Sequence, residues 1–149
     1  MKIEVVKAGL FTTIQDAGRF GYEASGIPQN GFLDKASAQL ANQIIGNNKD
    51  EALIEITGIG PTLLFDSNCT ITITGANISP SLNKLRIKNI TPIQVKAGDK
   101  LTFGKLKSGF RAYLAINGEI LVNEVYGSKS TNTITGFGGL EGRHFTKGD

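Results

Sequence analysis

The sequence predicts a mainly β fold with one clear helix, on three observations. Nineteen glycines are spread along the chain, most of them beside β-like runs, which marks tight turns and close backbone approaches. Short apolar or alternating runs recur with the period of two that sends successive side chains to opposite faces of a sheet. Only one segment keeps helical spacing. Many short strands around a single helix point to a closed or strongly curved β structure.

Residues 3–6 read as the first strand, closed by Gly9, and residues 10–14 as a second run. Residues 15–31 are polar and punctuated by glycine, the least regular part of the chain, and irregular stretches of that length in compact domains are often functional. The helix comes next. Asp34 is placed to cap it, Ala36, Leu40, Ala41, Ile44 and Ile45 recur at helical spacing, and Gly46 stands where a terminating glycine belongs. That narrow stripe predicts one face packed on a sheet.

Residues 53–57 and 62–65 then flank a Gly-Ile-Gly-Pro turn. Residues 69–74 read CTITIT, with Cys69, Ile71 and Ile73 on one face and Thr70, Thr72 and Thr74 on the other. Residues 85–87, 93–95 and 101–103 are further strands, and residues 97–104 form a turn feeding the last of these. Residues 110–116 alternate again, with Phe110, Ala112, Leu114 and Ile116 opposed to Arg111, Tyr113 and Ala115. Beyond Val125 the chain turns rich in glycine and hydroxyls, and its last four residues read like a turn leading into a strand.

The 149 residues suit one domain. A net charge of +3 with no run of Lys or Arg argues against a nucleic-acid face. The single cysteine, Cys69, has no partner for an internal disulfide, which fits a reducing compartment. The N-terminal MKIEVVKAG lacks the apolar region of a secretory signal, and no apolar stretch approaches the roughly 20 residues that cross a bilayer. The expectation is a cytoplasmic protein without membrane or nucleic-acid contacts.

Several chemistries lack their motifs. No Walker A loop is present, Gly58 and Gly60 miss the third glycine of a dinucleotide fingerprint because Leu63 stands there, and no G-x-S-x-G elbow occurs. One His and one Cys do not make a protein zinc site of the usual kind, so no metal ligands are assigned. Met1 is the only methionine, so the methionine-flanked lysine of a biotin carrier is missing and no covalent biotin is expected on this chain.

Three constellations remain. In TTIQDAGRFGY the glycines at 18 and 21 allow a turn presenting Gln15, Asp16 and Arg19 together, where Asp can orient water or accept a proton and Arg can grip a carboxylate or phosphate. Spacing alone favours a structural Asp–Arg pair that pins the loop. Arg111 and Tyr113 share one face of an otherwise apolar strand, either as an anion platform in a cleft or on a solvated face. The GSKST loop holds Ser128, Ser130 and Thr131, which with glycine-led N–H groups can cradle a phosphate or carboxylate, although composition alone favours a solvated loop. Glu55 faces away from Ile54 and Ile56, placed to line a cleft or meet an arginine.

Taken in order, GLFTTIQDAGRFGY, GIPQNGFLD, LANQIIGN, ALIEITGIGPTLLF, TITGAN, SGFRAYLAINGEI and YGSKSTNTITGFGGLEGR resemble the biotin-dependent carboxyltransferase, or allophanate hydrolase subunit 2-like, family over essentially the whole chain. Gly118-Glu119 departs from the paired glycines usual there. The resemblance implies a cyclophilin-like β-barrel. It also implies that the chain corresponds to the N-terminal half of a domain about twice as long, inactive alone. The family includes the C subunit of ATP-dependent 5-oxoprolinase. Together with a Kip-inhibitor-like B subunit plus an A subunit, it converts 5-oxoproline, ATP (with Mg) and water to glutamate, ADP and phosphate. The family also includes urea and allophanate-branch carboxyltransferases and a non-catalytic antagonist of a Kip-type kinase inhibitor.

With that resemblance, all three constellations are read as cleft residues. Asp16, Arg19 and Gln15 are the expected catalytic set. Arg111, Tyr113, Ser128, Ser130, Thr131 and Glu55 are expected to bind substrate or phosphate.

Overall fold

The computed structural model describes residues 1–149. Its elements in chain order are β1 (Ile3–Lys7), β2 (Phe11–Gln15), α1 (Lys35–Ile44), β3 (Leu53–Thr57), β4 (Thr62–Phe65), β5 (Cys69–Asn77), β6 (Pro80–Leu82), β7 (Leu85–Arg86), β8 (Ile93–Val95), β9 (Lys100–Phe103) and β10 (Ser108–Ile116). They form two five-stranded antiparallel sheets, ordered β1-β4-β9-β6-β7 and β2-β3-β10-β5-β8. The mainly β fold with one helix is therefore what the chain adopts. No strand pairing joins the sheets, so the expected barrel is not closed. No helix is long and apolar enough to cross a membrane.

Alternation explains the layering. Val5, Leu63, Phe65 and Leu101 of the first sheet face Ile14, Ile54, Ile56, Ile71, Ile73, Ala112, Leu114 and Ile116 of the second, and together they make the main core. On the far side of the second sheet, Ala38 and Ala41 of α1 pack on Leu53, Tyr113 and Ala115.

The cap at Asp34 forms as the sequence indicates: its carboxylate accepts from the Ser37 amide at 3.1 Å and the Ser37 hydroxyl at 2.6 Å. The buried stripe of α1 is different from the one expected. It comprises Ala38, Ala41 and Asn42, while Ala36 is exposed and Leu40 is 40% exposed. The helix comes close to the sheet, with the Thr74 hydroxyl donating to the Ser37 carbonyl at 2.6 Å, and such an approach admits small residues. Asn42 is tolerated inside because its amide donates to the Lys49 and Glu51 carbonyls.

The register of β10 carries one irregularity that matters for the site. Between its pairings with β5, β10 advances from Ser108 to Ala112 while β5 moves only from Asn77 to Gly75. Gly75 has φ +80°, and a Cβ there would lie 2.5 Å from the Arg111 carbonyl oxygen, so a side chain at 75 would push this bulge apart. The bulge explains why Phe110, which alternation placed on the same face as Ala112, is exposed while Ala112 is buried.

Beyond Val125 only two isolated bridges form, Val125 with Ser128 and Asn132 with Phe137. The last residues run beside β1, where the Gly148 amide donates to the Val5 carbonyl and the Val5 amide to the Asp149 carbonyl.

Candidate functional site

The outer face of the second sheet is polar where α1 does not cover it. Pairing across β2, β3 and β10 sets Phe11, Thr57 and Arg111 in one row and Thr13, Glu55 and Tyr113 in the next. Glu55 is the hub. One of its oxygens accepts from Arg111 Nη1 at 3.0 Å, and the other accepts from the Tyr113 hydroxyl at 2.9 Å and the Leu33 amide at 3.0 Å. The Tyr113 hydroxyl in turn accepts from the Asp34 amide at 2.7 Å. Glu55 thus meets an arginine, and the face bearing Arg111 and Tyr113 is not a solvated one. Tyr113 is 0% exposed, whereas the Arg111 side chain keeps 30% of its surface. Burial pushes the Tyr113 hydroxyl well above the usual phenol range, and the neighbouring Glu55 charge adds to it.

Gln15 lies one step further along β2. Its amide donates to Thr13 Oγ1 at 3.1 Å and to the Thr131 carbonyl at 3.3 Å. Three buried polar atoms of this face have no partner: Gln15 Oε1, Thr57 Oγ1 and Arg111 Nε. Thr57 was not among the residues the sequence singled out. Its signal was strand alternation, which puts it on the face of Glu55.

Asp16 and Arg19 do not pair with each other. The Asp16 carboxylate accepts from the Gly18 and Lys129 amides and from the Ser128 and Ser130 hydroxyls, at 2.5–2.9 Å. Arg19 is 1% exposed. It donates to the Val125 carbonyl at 3.1 Å, to Asn30 Oδ1 at 2.6 Å and to the Ser130 carbonyl at 2.6 Å, with its guanidinium 4.9 Å from the Phe137 ring centroid. Burial lowers its pKa from the ordinary arginine value, an effect that Asp16 opposes. Each residue separately ties the 15–34 loop to the 125–138 segment.

The GSKST hydroxyls are likewise turned inward. Ser128 and Ser130 donate to Asp16, and Thr131 donates to the Ile14 carbonyl at 2.9 Å. All three are buried, so this loop is not solvated, and its hydroxyls are not arranged as an outward-facing phosphate cradle. Lys129 Nζ is held by Glu119 at 2.6 Å and the Ile120 carbonyl at 3.0 Å. No cluster of three or more His, Cys, Asp or Glu side chains is placed to bind a metal.

The structure therefore gathers Gln15, Glu55, Arg111 and Tyr113 on one sheet face, and gathers Asp16, Arg19, Ser128, Ser130 and Thr131 into the belt beside it. A separate apolar cleft of about 340 Å³, lined by Ile3, Ile14, Ile54, Ile116 and Phe145 among others, touches none of the candidate polar residues.

The family described as "Carboxyltransferase domain, subdomain A and B" matches residues 25–149. Urea amidolyase of Lachancea kluyveri is 46% identical over 147 residues, which are 98% of this chain and 8% of that protein. The 5-oxoprolinase C subunit of Escherichia coli K12 is 37% identical over 147 residues, 99% of this chain and 47% of that protein. The crystal structure of the K. lactis urea amidolyase matches with a TM-score of 0.96 at 43% identity, over 99% of this chain and 9% of that one. The chain thus spans about half the length of the E. coli protein and under a tenth of the urea amidolyases.

Proposed function

Because the chain belongs to the carboxyltransferase family of subdomains A and B, we propose that it acts as part of the C subunit of an ATP-dependent 5-oxoprolinase. In this proposal residues 1–149 form one domain, the N-terminal half of the subunit. It works in the cytoplasm with a Kip-inhibitor-like B subunit plus an A subunit, and the complex converts 5-oxo-L-proline, ATP and water to L-glutamate, ADP and phosphate.

The observation that carries the proposal is Arg111: a guanidinium fixed by Glu55 on a rigid strand yet still reachable from outside. Such a group holds the charged part of a small substrate in one orientation, and orientation contributes a large share of catalysis. Tyr113 and the Leu33 amide hold Glu55, so Glu55 and Tyr113 are positioning residues for Arg111. Gln15 keeps a buried amide oxygen with no partner beside this face, an acceptor that a donor reaching it would satisfy. Asp16, Arg19, Ser128, Ser130 and Thr131 keep the flanking loops in place. ATP with Mg enters as a co-substrate of the complex, to which the inward-turned GSKST loop assigns no residue here.

The test is glutamate release from 5-oxoproline by the A and B subunits, with and without this chain, and with the full-length C subunit for reference. Release that depends on the chain and is lost in Arg111→Ala supports the proposal. Full activity in that variant refutes the role of Arg111, and dependence on biotin instead of ATP refutes the reaction.

One observation favours a second reading. Identity to urea amidolyase, 46%, exceeds that to the 5-oxoprolinase C subunit, 37%, over nearly the same residues. In that reading the same face serves a urea carboxylation step with biotin carried on another part of the assembly, and avidin inhibits it.

A further inference from the structure

We propose that the unpartnered edge of Arg111, together with the buried and likewise unpartnered Thr57 hydroxyl, is a subsite for a carboxylate. The inference rests on the oxoprolinase reading only for the identity of the ligand. A guanidinium presents two forks, and the pair of parallel N–H bonds that fits a carboxylate comes from Nε and Nη2. Glu55 takes Nη1 and leaves that pair untouched: Nε has no partner, and Nη2 makes no hydrogen bond within the protein. Thr57 stands directly opposite Arg111 in the β3–β10 register, so their side chains rise next to each other from the same face. The Thr57 hydroxyl is also without a partner, although the residue is only 6% exposed. Buried polar groups are nearly always hydrogen-bonded, and two adjacent donors lacking partners mark a place built for an acceptor.

Charge selects the acceptor. Glu55 already neutralises Arg111, so the local sum is near zero, and a ligand with two negative charges is resisted more strongly than one with a single charge. A planar monoanion with two oxygens suits the fork, and a phosphate dianion does not. The fitting ligand is a small carboxylate.

The test follows the Arg111 Nε–H resonance in arginine-labelled protein, identified by its loss in Arg111→Lys. The titrants are acetate, 5-oxo-L-proline, 2-pyrrolidinone and inorganic phosphate. Acetate and 5-oxoproline should shift the resonance saturably, with pyrrolidinone silent and phosphate weaker. Thr57→Val should weaken both carboxylates about five-fold by the same resonance, and Arg111→Lys about ten-fold as read from the backbone amide shifts of residues 57 and 111, while folding is verified by the rest of the backbone spectrum. No shift with either carboxylate, phosphate binding at least as tight, or unchanged binding in both variants overturns the subsite. Saturable shifts with acetate but none with 5-oxoproline keep the subsite and reject the oxoprolinase reading. Binding of 5-oxoproline that ignores both substitutions does the opposite.

Discussion

Gly138 is pressed against Ser130: a Cβ at position 138 would overlap the Ser130 carbonyl oxygen, the same oxygen that accepts from Arg19 at 2.6 Å. Gly138 also has φ +74°. Gly138→Ala should therefore destabilise the chain by about 2–3 kcal/mol, through backbone strain and loss of the Arg19 contact together. Urea unfolding followed by circular dichroism measures this, and a change below about 0.5 kcal/mol would mean the segment relaxes freely.

Arg19 is the second test of the belt. Arg19→Ala removes three hydrogen bonds from a charged donor and leaves two carbonyls and the Asn30 amide oxygen without it, at a cost of about 3 kcal/mol or more. Arg19→Lys should recover little, because one ammonium does not reproduce the planar fork. A catalytic role would show instead as lost turnover with an unchanged unfolding midpoint.

Tyr113 gives the alkaline limb. Its folded-state pKa is raised, so its contribution is complete below the ordinary phenol range near pH 10 and is lost as pH climbs toward the folded value. Wild-type stability should fall above about pH 10, and Tyr113→Phe should remove that contribution from the slope. In native protein the phenolate absorbance assigned to Tyr113, by difference from the Phe variant, should appear only with unfolding.

Asp149 gives the acid limb. Its carboxyl is held far below the usual range, chiefly by hydrogen bonds from Arg143, which contacts it at 2.6 and 2.8 Å, with the Thr146 amide helping. A depressed carboxylate contributes above its unfolded pKa and loses that contribution as pH falls, so the window is acid, below about pH 4. Asp149→Asn should flatten stability in that window. Added salt should weaken the wild-type effect, because Arg143 remains partly exposed. An identical acid limb in wild type and variant would dismiss the pair.

Residues 53–57 and 62–65 were legible to the residue because apolar runs between glycines leave one way to lie in a sheet. The cap at Asp34 was legible because its chemistry is local. The buried face of α1 was not, since what a helix buries depends on how near its partner comes, and Leu40 lost to Ala38 on that account. Nor was β6, a three-residue strand starting with proline, whose pairing with β9 comes from sequence far away. For the site, alternation turned Glu55 away from Ile54 and Ile56, placed to line a cleft or meet an arginine, and the arginine it meets is Arg111. Proximity in sequence suggested an Asp16–Arg19 pair, and only the fold reveals that each has distant partners instead.

Those distant partners govern how the molecule is made. Asp16 takes hydroxyl donors from positions 112 and 114 residues further along. On a ribosome, the 15–34 loop emerges early and waits, with its aspartate and arginine uncommitted, until residues 125–130 have been synthesised. The belt beside the Arg111 face therefore closes only after all ten strands have been made, and the long loop it closes adds an entropic cost to that step.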